Sequence, residues 1–447
     1  MDPSPVMPSN VNFSARRYNR KVTTVSIAFV VFFIIYYVSS RVSPVLMLPE
    51  EAGDITRPGL SPTEGEGQEY DKINAYFSKL TTSEGTYYSA TLSMDNKIRK
   101  VQGQDDASYA LLNPPFQSSH GSNLLLIPSG EVLLVWFSGE DEGGDGVAIV
   151  VSTLRPGEKE WSQAKVVSQE RGRSAQNPVL YFDSEKNELI LMHTSQRAFE
   201  GQATSEVRKV VSKDKGLTWS KPTTLFEDPG AFLRNQVMLS GDEKEWLLPM
   251  YYTPQGFFHH RSQYSSIKRS KDGVGWQETI MQGTKGRCVQ PSLVRLDKQT
   301  LQAFFRSRDA DSIYLSVSQD DGYTWTSPTA TRLPNNNSGI QALRLLSGNI
   351  AIVFNNVEGD YARWPLSIAL SDDDSQTFRW VRDLEPIADD YDEDAGYGEY
   401  SYPSLTQSPD GMIHVSYTFR RETIKYVQVT EQWIKQSTKS RGVYGGT

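Results

Sequence analysis

A short turn motif that returns at a nearly constant interval constrains this chain more than any other feature. Two copies are complete: Ser212, Asp214, Gly216, Thr218 and Trp219 in one octet, and Ser318, Asp320, Gly322, Thr324 and Trp325 in another. Degenerate copies run from Ser270 to Trp276 and from Ser371 to Phe378, and a remnant runs from Ser152 to Trp161. The aromatic anchors at 161, 219, 276, 325 and 378 are 58, 57, 49 and 53 positions apart. A fixed period of this length means one supersecondary unit repeated and stacked on itself. Within each copy the Asp and Ser side chains can bond backbone amides of the turn, Gly supplies a positive φ, and the aromatic fills space between strands. The motif is therefore turn chemistry and implies no reacting group.

Between the motifs, short apolar runs alternate with polar turns. Six hairpins are legible from their alternation, among them LLLIPSGEVLLVWF from Leu124, SLVRLDKQTLQAFFRS from Ser292 and SLTQSPDGMIHVSYTF from Ser404. Further β-rich strings such as VAIVVST, SIYLSVS and PLSIALS lead into the motif copies. Four short strands per roughly 50 residues describe a propeller blade, so six hairpins predict a six-bladed, all-β propeller over 76–433. The segment 76–113 lacks the repeat and is expected to supply an early or closing strand. At 447 residues with 38% hydrophobic and 11% aromatic residues, the chain can bury a large core. Its single cysteine, Cys288, excludes an internal disulfide framework, and a core of this size does without one. A net charge of -8 with both signs interspersed argues against nucleic acid as a partner.

The N-terminal part reads differently. Residues 22–38 (VTTVSIAFVVFFIIYYV) carry no charge and follow Arg16, Arg17, Arg20 and Lys21. As a helix this run spans about 26 Å, short for an average bilayer but suited to thin early-secretory membranes. The basic flank predicts an uncleaved transmembrane signal anchor over 22–38 with a cytoplasmic tail at 1–21, and a cleaved signal peptide ending near Ser40 is the alternative. Residues 39–75, rich in Pro, Gly and Glu, are expected to form an extended stem. Residues 434–447 are expected to form a disordered tail. The expected placement is a single-pass type II membrane protein of the secretory pathway, in the Golgi, with the propeller lumenal. Asn336-Asn337-Ser338 offers a glycosylation sequon consistent with that side.

Repeated boxes at blade spacing, with His120-Gly-Ser before Trp136-Phe137, Gln290-Pro-Ser-Leu, Phe305-Arg306-Ser-Arg308 and Tyr402-Pro-Ser-Leu, resemble the sialidase (neuraminidase) superfamily and, within it, the BNR-repeat-like branch. The resemblance covers roughly residues 115–430 and implies a six-bladed propeller. It also implies three arginines on a sugar carboxylate, a tyrosine nucleophile activated by a glutamate, and a carboxylic acid/base. A neutral phenol can approach a carbon that carries a carboxylate, where an anionic nucleophile would be repelled, and the planar arginine fork suits the carboxylate. By context Arg306 and Arg363 match two of the arginines, with Arg308 alongside as a further substrate-binding candidate, and Tyr402 matches the nucleophile. His120 stands where the first arginine is expected and Gln290 where the glutamate is expected. Gln cannot take a proton, so the phenol of Tyr402 needs nearby arginines to lower its pKa. The acid/base is expected from the loop GEDEGGDG, with Glu142 first and Asp145 next after Glu140 and Asp141 are weighed.

These residues suggest a membrane-anchored exo-glycoside hydrolase acting on terminal acidic sugars. Two alternatives stand beside it: a uronate-directed lyase, for which His120, Gln290, Arg306 and Tyr402 supply carboxylate neutralisation and proton transfer, and a non-catalytic glycan-binding propeller. The partner expected in each case is an acidic glycan. No cofactor is implied, and no spacing among His193, His259, His260 and His414 supports a zinc site.

Overall fold

The computed structural model describes residues 93–255, 259–359, 363–385 and 399–436. The tail, anchor and stem expected at 1–75 lie outside these residues, as does 437–447. Among the described residues no helix is long and apolar enough to cross a membrane.

Six antiparallel sheets follow one another along the chain. Blade I comprises Ser118–Leu126, Val132–Gly139, Ala148–Leu154 and Lys165–Ser168; blade II comprises Arg173–Asp183, Glu188–Arg197, Glu206–Ser212 and Thr223–Phe226. Blade III is the irregular one: its innermost strand is split into Ala231–Leu233 and Met238–Leu239, ahead of Trp246–Tyr252, Tyr264–Ser270 and Gln277–Ile280. Blade IV comprises Cys288–Arg295, Leu301–Ser307, Ser312–Ser318 and Thr329–Pro334, and blade V Gln341–Arg344, Ile350–Asn355, Leu366–Ser371 and Trp380–Glu385. Blade VI takes Tyr400–Gln407, Ile413–Phe419 and Thr423–Val429 from the end of the chain and completes itself with Gln104–Leu111 from its beginning. That closing strand pairs from Ala107 opposite Val429 to Leu111 opposite Lys425, as expected of a segment without the repeat. Beyond the blade, a short helix at Glu431–Lys435 buries Trp433 and Ile434, so ordered chain continues slightly past the boundary expected at 433.

Period-2 alternation is muted in the inner strands, because each blade is covered by a neighbour on both faces. Leu133, Val135 and Val151 of blade I pack with Leu180, Leu189 and Leu191 of blade II in one apolar cluster, and equivalent clusters fill the other inter-blade spaces. Burial of each such side chain stabilises by about 1.5–3 kcal/mol. Cys288 is one of these core residues, its thiol pushed up to about 12 by burial, and it serves packing.

The recurring box closes the turn after the third strand of the blades. Ser318 Oγ donates to Asp320 Oδ1 at 2.8 Å, Gly322 N donates to Ser318 Oγ at 2.8 Å, and Thr324 N and Oγ1 donate to the two Asp320 oxygens at 2.8 and 2.6 Å. The copy at Ser212–Trp219 makes the same bonds, and the degenerate copy at Ser371–Phe378 makes them with Ser375 at φ 71° in the place of glycine. Every polar group of the motif is consumed locally. Successive strands reverse direction, so the boxes and the 1–2 hairpins lie at one end of the propeller. The 2–3 loops and the entries to the first strands lie at the other.

Close approach of neighbouring blades yields one stability prediction. A Cβ on Gly241 would lie 1.8 Å from the Lys298 carbonyl oxygen, a backbone atom that cannot swing aside. Gly241→Ala should therefore destabilise by about 1–3 kcal/mol, read as a lowered denaturant midpoint with an unchanged slope.

Candidate functional site

The innermost strands of four blades share one local irregularity. Pairing with the second strand is interrupted between His120 and Asn123, Gln176 and Val179, Val289 and Ser292, and Ser401 and Ser404. Each interruption holds a residue with positive φ: Gly121 at 65°, Asn177 at 45°, Gln290 at 57° and Tyr402 at 52°. A bulge of this kind re-aims a side chain, and left-handed backbone costs a non-glycine residue about 1–2 kcal/mol. Strain at Gln290 and Tyr402 is thus spent on turning these two side chains toward the propeller axis, where they meet.

The Tyr402 hydroxyl accepts a hydrogen bond from Arg306 Nη1 at 2.6 Å, and the same nitrogen reaches Gln290 Oε1 at 3.4 Å. Arg306 Nε donates to Asn337 Oδ1 at 2.9 Å, and Gln290 Nε2 donates to the Tyr251 hydroxyl at 3.3 Å. Arg306, Gln290 and His120 are buried, whereas Tyr402 is half-buried. Burial opposes ionisation of the Tyr402 phenol, but the Arg306 and Arg363 guanidiniums outweigh it and bring the group down to about 8. Tyr251 is pushed up to about 12 by burial and by the field of Tyr402 beside it. Two phenols side by side are thereby driven in opposite directions.

Arg363 and the entry to blade VI build the rim. Arg363 Nη1 donates to Glu399 Oε1 at 2.5 Å, and its guanidinium carbon lies 5.5 Å from the Tyr402 ring centre. Glu399 also accepts from Ser401 Oγ at 2.6 Å and from Arg421 Nε at 2.8 Å, and the two arginines hold its carboxyl below the ordinary range despite burial. Arg421 donates in addition to Glu142 Oε2. Beside this pair opens a concavity of about 490 Å³ lined by Ser118, Glu140, Asp141, Glu142, Arg420 and Arg421. His120 packs against Tyr402 with ring centres 4.3 Å apart, and its Nδ1 lies 2.8 Å from Thr418 Oγ1 and 3.6 Å from Glu399. Burial, followed by the fields of Arg421, Arg363, Arg234 and Arg306, holds the imidazole well below its usual pKa, so it is neutral.

Of the residues selected from sequence, Tyr402, Arg306, Gln290, His120 and Arg363 thus come together. Arg308 stands next to them, donating to Gln263 Oε1 at 2.6 Å and to Asn337 Oδ1 at 3.3 Å. Glu142 reaches the rim, but an ion pair with Arg421 occupies its carboxylate. Asp145 turns the other way and accepts from the Gly172 amide, which makes it a loop fastener. The glycosylation expected at Asn336 is also corrected: Asn336 and Ser338 are buried, which leaves no room for a glycan in the folded protein. Sequence reasoning missed Glu399, Arg421, Arg234 and Tyr251. Glu399 carried a usable signal, lying three residues ahead of the tyrosine in the same strand entry.

Two other histidines serve the scaffold. His193 Nε2 lies 2.8 Å from Ser168 Oγ and His414 Nε2 lies 2.9 Å from Ser408 Oγ; burial lowers each imidazole to about 4. The unfolded chain binds these protons near pH 6.5 while the folded chain excludes them until about 4. Stability should therefore fall as pH drops from about 6.5 to about 4, read as a declining Tm, and His193→Gln should flatten the decline.

The family described as BNR repeat-like domain matches residues 130–415. A search of curated proteins gives no match. Among solved structures the chain is similar to the Hadza microbial sialidase Hz136, at 15% identity over 71% of this chain and 67% of that one, with a TM-score of 0.60. It is also similar to the NanB sialidase from Streptococcus pneumoniae (14% identity, 72% and 70% covered, TM-score 0.60). A third similar structure is the intramolecular trans-sialidase from Ruminococcus gnavus (15% identity, 72% and 96% covered, TM-score 0.57). At these identities the likeness is one of fold, and function has to be argued from the site.

Proposed function

The chain belongs to the BNR repeat-like domain family, and from that premise we propose that it is a glycoside hydrolase that removes a terminal acidic sugar from glycans. One observation carries the reading: a half-buried tyrosine hydroxyl bonded at 2.6 Å to a buried arginine, with a second arginine over its ring and its phenol brought to about 8. The arginines that lower the phenol also neutralise the sugar carboxylate, so the ionised fraction can approach the anomeric carbon without net repulsion and without a carboxylate base, which answers the presence of Gln290 where a glutamate was expected.

In this mechanism Arg306 and Arg363 hold the sugar carboxylate and Tyr402 Oη attacks the anomeric carbon. The glycosidic C–O bond breaks as the tyrosyl C–O bond forms, and the leaving oxygen takes a proton from Glu142. An incoming carboxylate competes with Glu142 for Arg421, which frees Glu142 to carry that proton. Water then attacks the tyrosyl-sugar bond with Glu142 as base, so configuration is retained overall. Neutral His120 and neutral Gln290 in place of an arginine and a glutamate leave the net charge of the pocket unchanged but alter the contacts it offers, which suits an acidic sugar that differs from ordinary sialic acid, such as a related keto-sugar or a uronate. The uncharged run at 22–38 behind its basic flank supports reading this segment as a signal anchor followed by a stem at 39–75, and on that reading the propeller works on the lumenal side of a Golgi membrane, where terminal sugars of glycoconjugates are accessible.

A second reading has an observation of its own. Gln290 and neutral His120 beside Tyr402 would also serve a lyase, in which an ionised tyrosine removes the proton next to a neutralised uronate carboxylate. Incubation of the full-length protein with a panel of acidic glycans separates the readings. Hydrolysis adds water and releases a free sugar, elimination yields a product with new ultraviolet absorbance, and a binding protein yields neither.

A further inference from the structure

Blade III contributes nothing to the site as selected from sequence, yet the break in its innermost strand places Arg234 and Asn235 under the centre of it. Arg234 is 1% exposed. Its Nη1 donates to the Ser122 carbonyl at 3.0 Å and its Nη2 to the Pro403 carbonyl at 2.6 Å. Asn235 Nδ2 donates to the carbonyls of Gln290 and Pro291 at 2.9 and 3.1 Å. These four carbonyls belong to the bulges of blades I, VI and IV, the three that present His120, Tyr402 and Gln290. Two consecutive side chains of one blade therefore clasp the backbone of three others.

The charge on Arg234 is as notable as its bonds. Both bonds go to neutral carbonyls, Nε has no hydrogen-bond partner, and among the described residues no carboxylate forms an ion pair with it. Its guanidinium carbon lies 5.1 Å from the centre of the Tyr402 ring, closer than that of Arg306 at 5.7 Å or Arg363 at 5.5 Å. Gly339 packs beside both groups, its Cα facing Arg234 Nε, Gln290 Oε1 and Tyr402 Cγ across a gap that an added Cβ would just fill, at 3.4 Å from each. A buried cation without a counter-ion is costly, and a scaffold that needed only a clasp could use an uncharged side chain.

We propose that Arg234 is a positioning residue for Tyr402 that acts twice: its fork fixes the bulges carrying His120 and Tyr402, and its charge, left unpaired, stabilises the Tyr402 phenolate from below. The inference rests on Tyr402 as the reacting group of the proposed function. Burial lowers Arg234 itself to about 10, which leaves it cationic at neutral pH. The other groups that face Tyr402 are Arg306 from blade IV, Arg363 from blade V, Glu142 and His120 from blade I, and Tyr251 from blade III, with Glu399 and Arg421 behind them. Arg234 differs from Arg306 and Arg363 in spending its hydrogen bonds on backbone carbonyls, where those two bond side chains of the site.

The test needs no substrate. Phenolate absorbance is titrated in the full-length protein, and the contribution of Tyr402 is taken by difference from Tyr402→Phe. The wild-type midpoint is expected at about 8. Arg234→Met should raise it by about 1 unit or more, and Arg234→Lys, which keeps the charge but loses the fork, should recover most of that shift. A folded Arg234→Met protein with the wild-type midpoint overturns the electrostatic role. Should that variant not fold, the guanidinium ¹⁵Nε resonance of Arg234 in the wild-type protein decides. It should move with the Tyr402 midpoint and stay still in Tyr402→Phe; a resonance that never responds overturns the inference. If the coupling is present while no glycan is cleaved, the glycosidase reading fails and the role of Arg234 stands.

Discussion

Replacement of Tyr402 by phenylalanine should abolish turnover of acidic glycans, with a loss of about 10³-fold or more in kcat, while the Tm stays close to that of the parent. The expectation follows from what the substitution removes. Phenylalanine keeps the ring that packs on His120 at 4.3 Å and lies over the Arg234, Arg306 and Arg363 guanidiniums. Only the hydroxyl is lost, and with it the atom that bonds to the anomeric carbon. Because the interaction exists only on the reaction path, kcat and kcat/KM should fall together and substrate binding should persist. Retained turnover would remove Tyr402 from the chemistry of both the hydrolase and the lyase.

Arg306→Ala should have the next largest effect. It strips the hydroxyl of its 2.6 Å donor and leaves Asn337 Oδ1 and Gln290 Oε1 without the guanidinium that bridges them. A cation beside a phenol favours the ionised form, so its loss should move the Tyr402 midpoint upward from about 8, toward or beyond the ordinary value near 10. In the parent, kcat/KM should rise with pH through about 8 as the phenolate forms. In the variant that rise should shift to higher pH, and kcat/KM at neutral pH should drop by about 10²–10³-fold through the combined loss of phenolate and carboxylate contact. Arg306→Lys should restore only part, since a single ammonium cannot span the three acceptors that the guanidinium reaches. A pH–rate profile of the three proteins checks all of this at once.

The scaffold was legible because its determinants are local. The Ser, Asp, Gly and Thr of each box satisfy one another within a few residues, so the bonds at Ser318–Thr324 could be anticipated from composition and spacing. Hairpins such as Leu301–Ser307 against Cys288–Arg295 follow from alternation and turn residues in the same way. Site residues were legible where they sit at a recognisable place in that local pattern: Tyr402 and Gln290 open a Pro-Ser-Leu strand, and Arg306 ends the strand that pairs with it. What stayed hidden depends on contacts between distant parts of the chain. Arg234 bonds the carbonyls of Ser122 and Pro403, 112 and 169 positions away, and a backbone carbonyl has no identity in sequence. Glu142 and Asp145 looked alike in an acidic loop. Blade VI captures the first through Arg421, and the Gly172 amide captures the second.

The positive φ of Gln290 and Tyr402 was equally invisible, since neither residue type signals left-handed backbone. It is the device by which one strand residue of blade IV and one of blade VI leave their sheets and meet at the site. Local strain at the site is held in place by the clasp of Arg234 and Asn235 beneath it.

The most direct test of the account is covalent. A slowed acidic glycosyl fluoride, fluorinated next to the anomeric carbon, should transfer its sugar to the enzyme and stall there, and peptide mass spectrometry should find the adduct on Tyr402. Release of fluoride with a sugar on the Tyr402 hydroxyl is the predicted result. Turnover of the same glycans with an unsaturated product, or an adduct on any other residue, would contradict it.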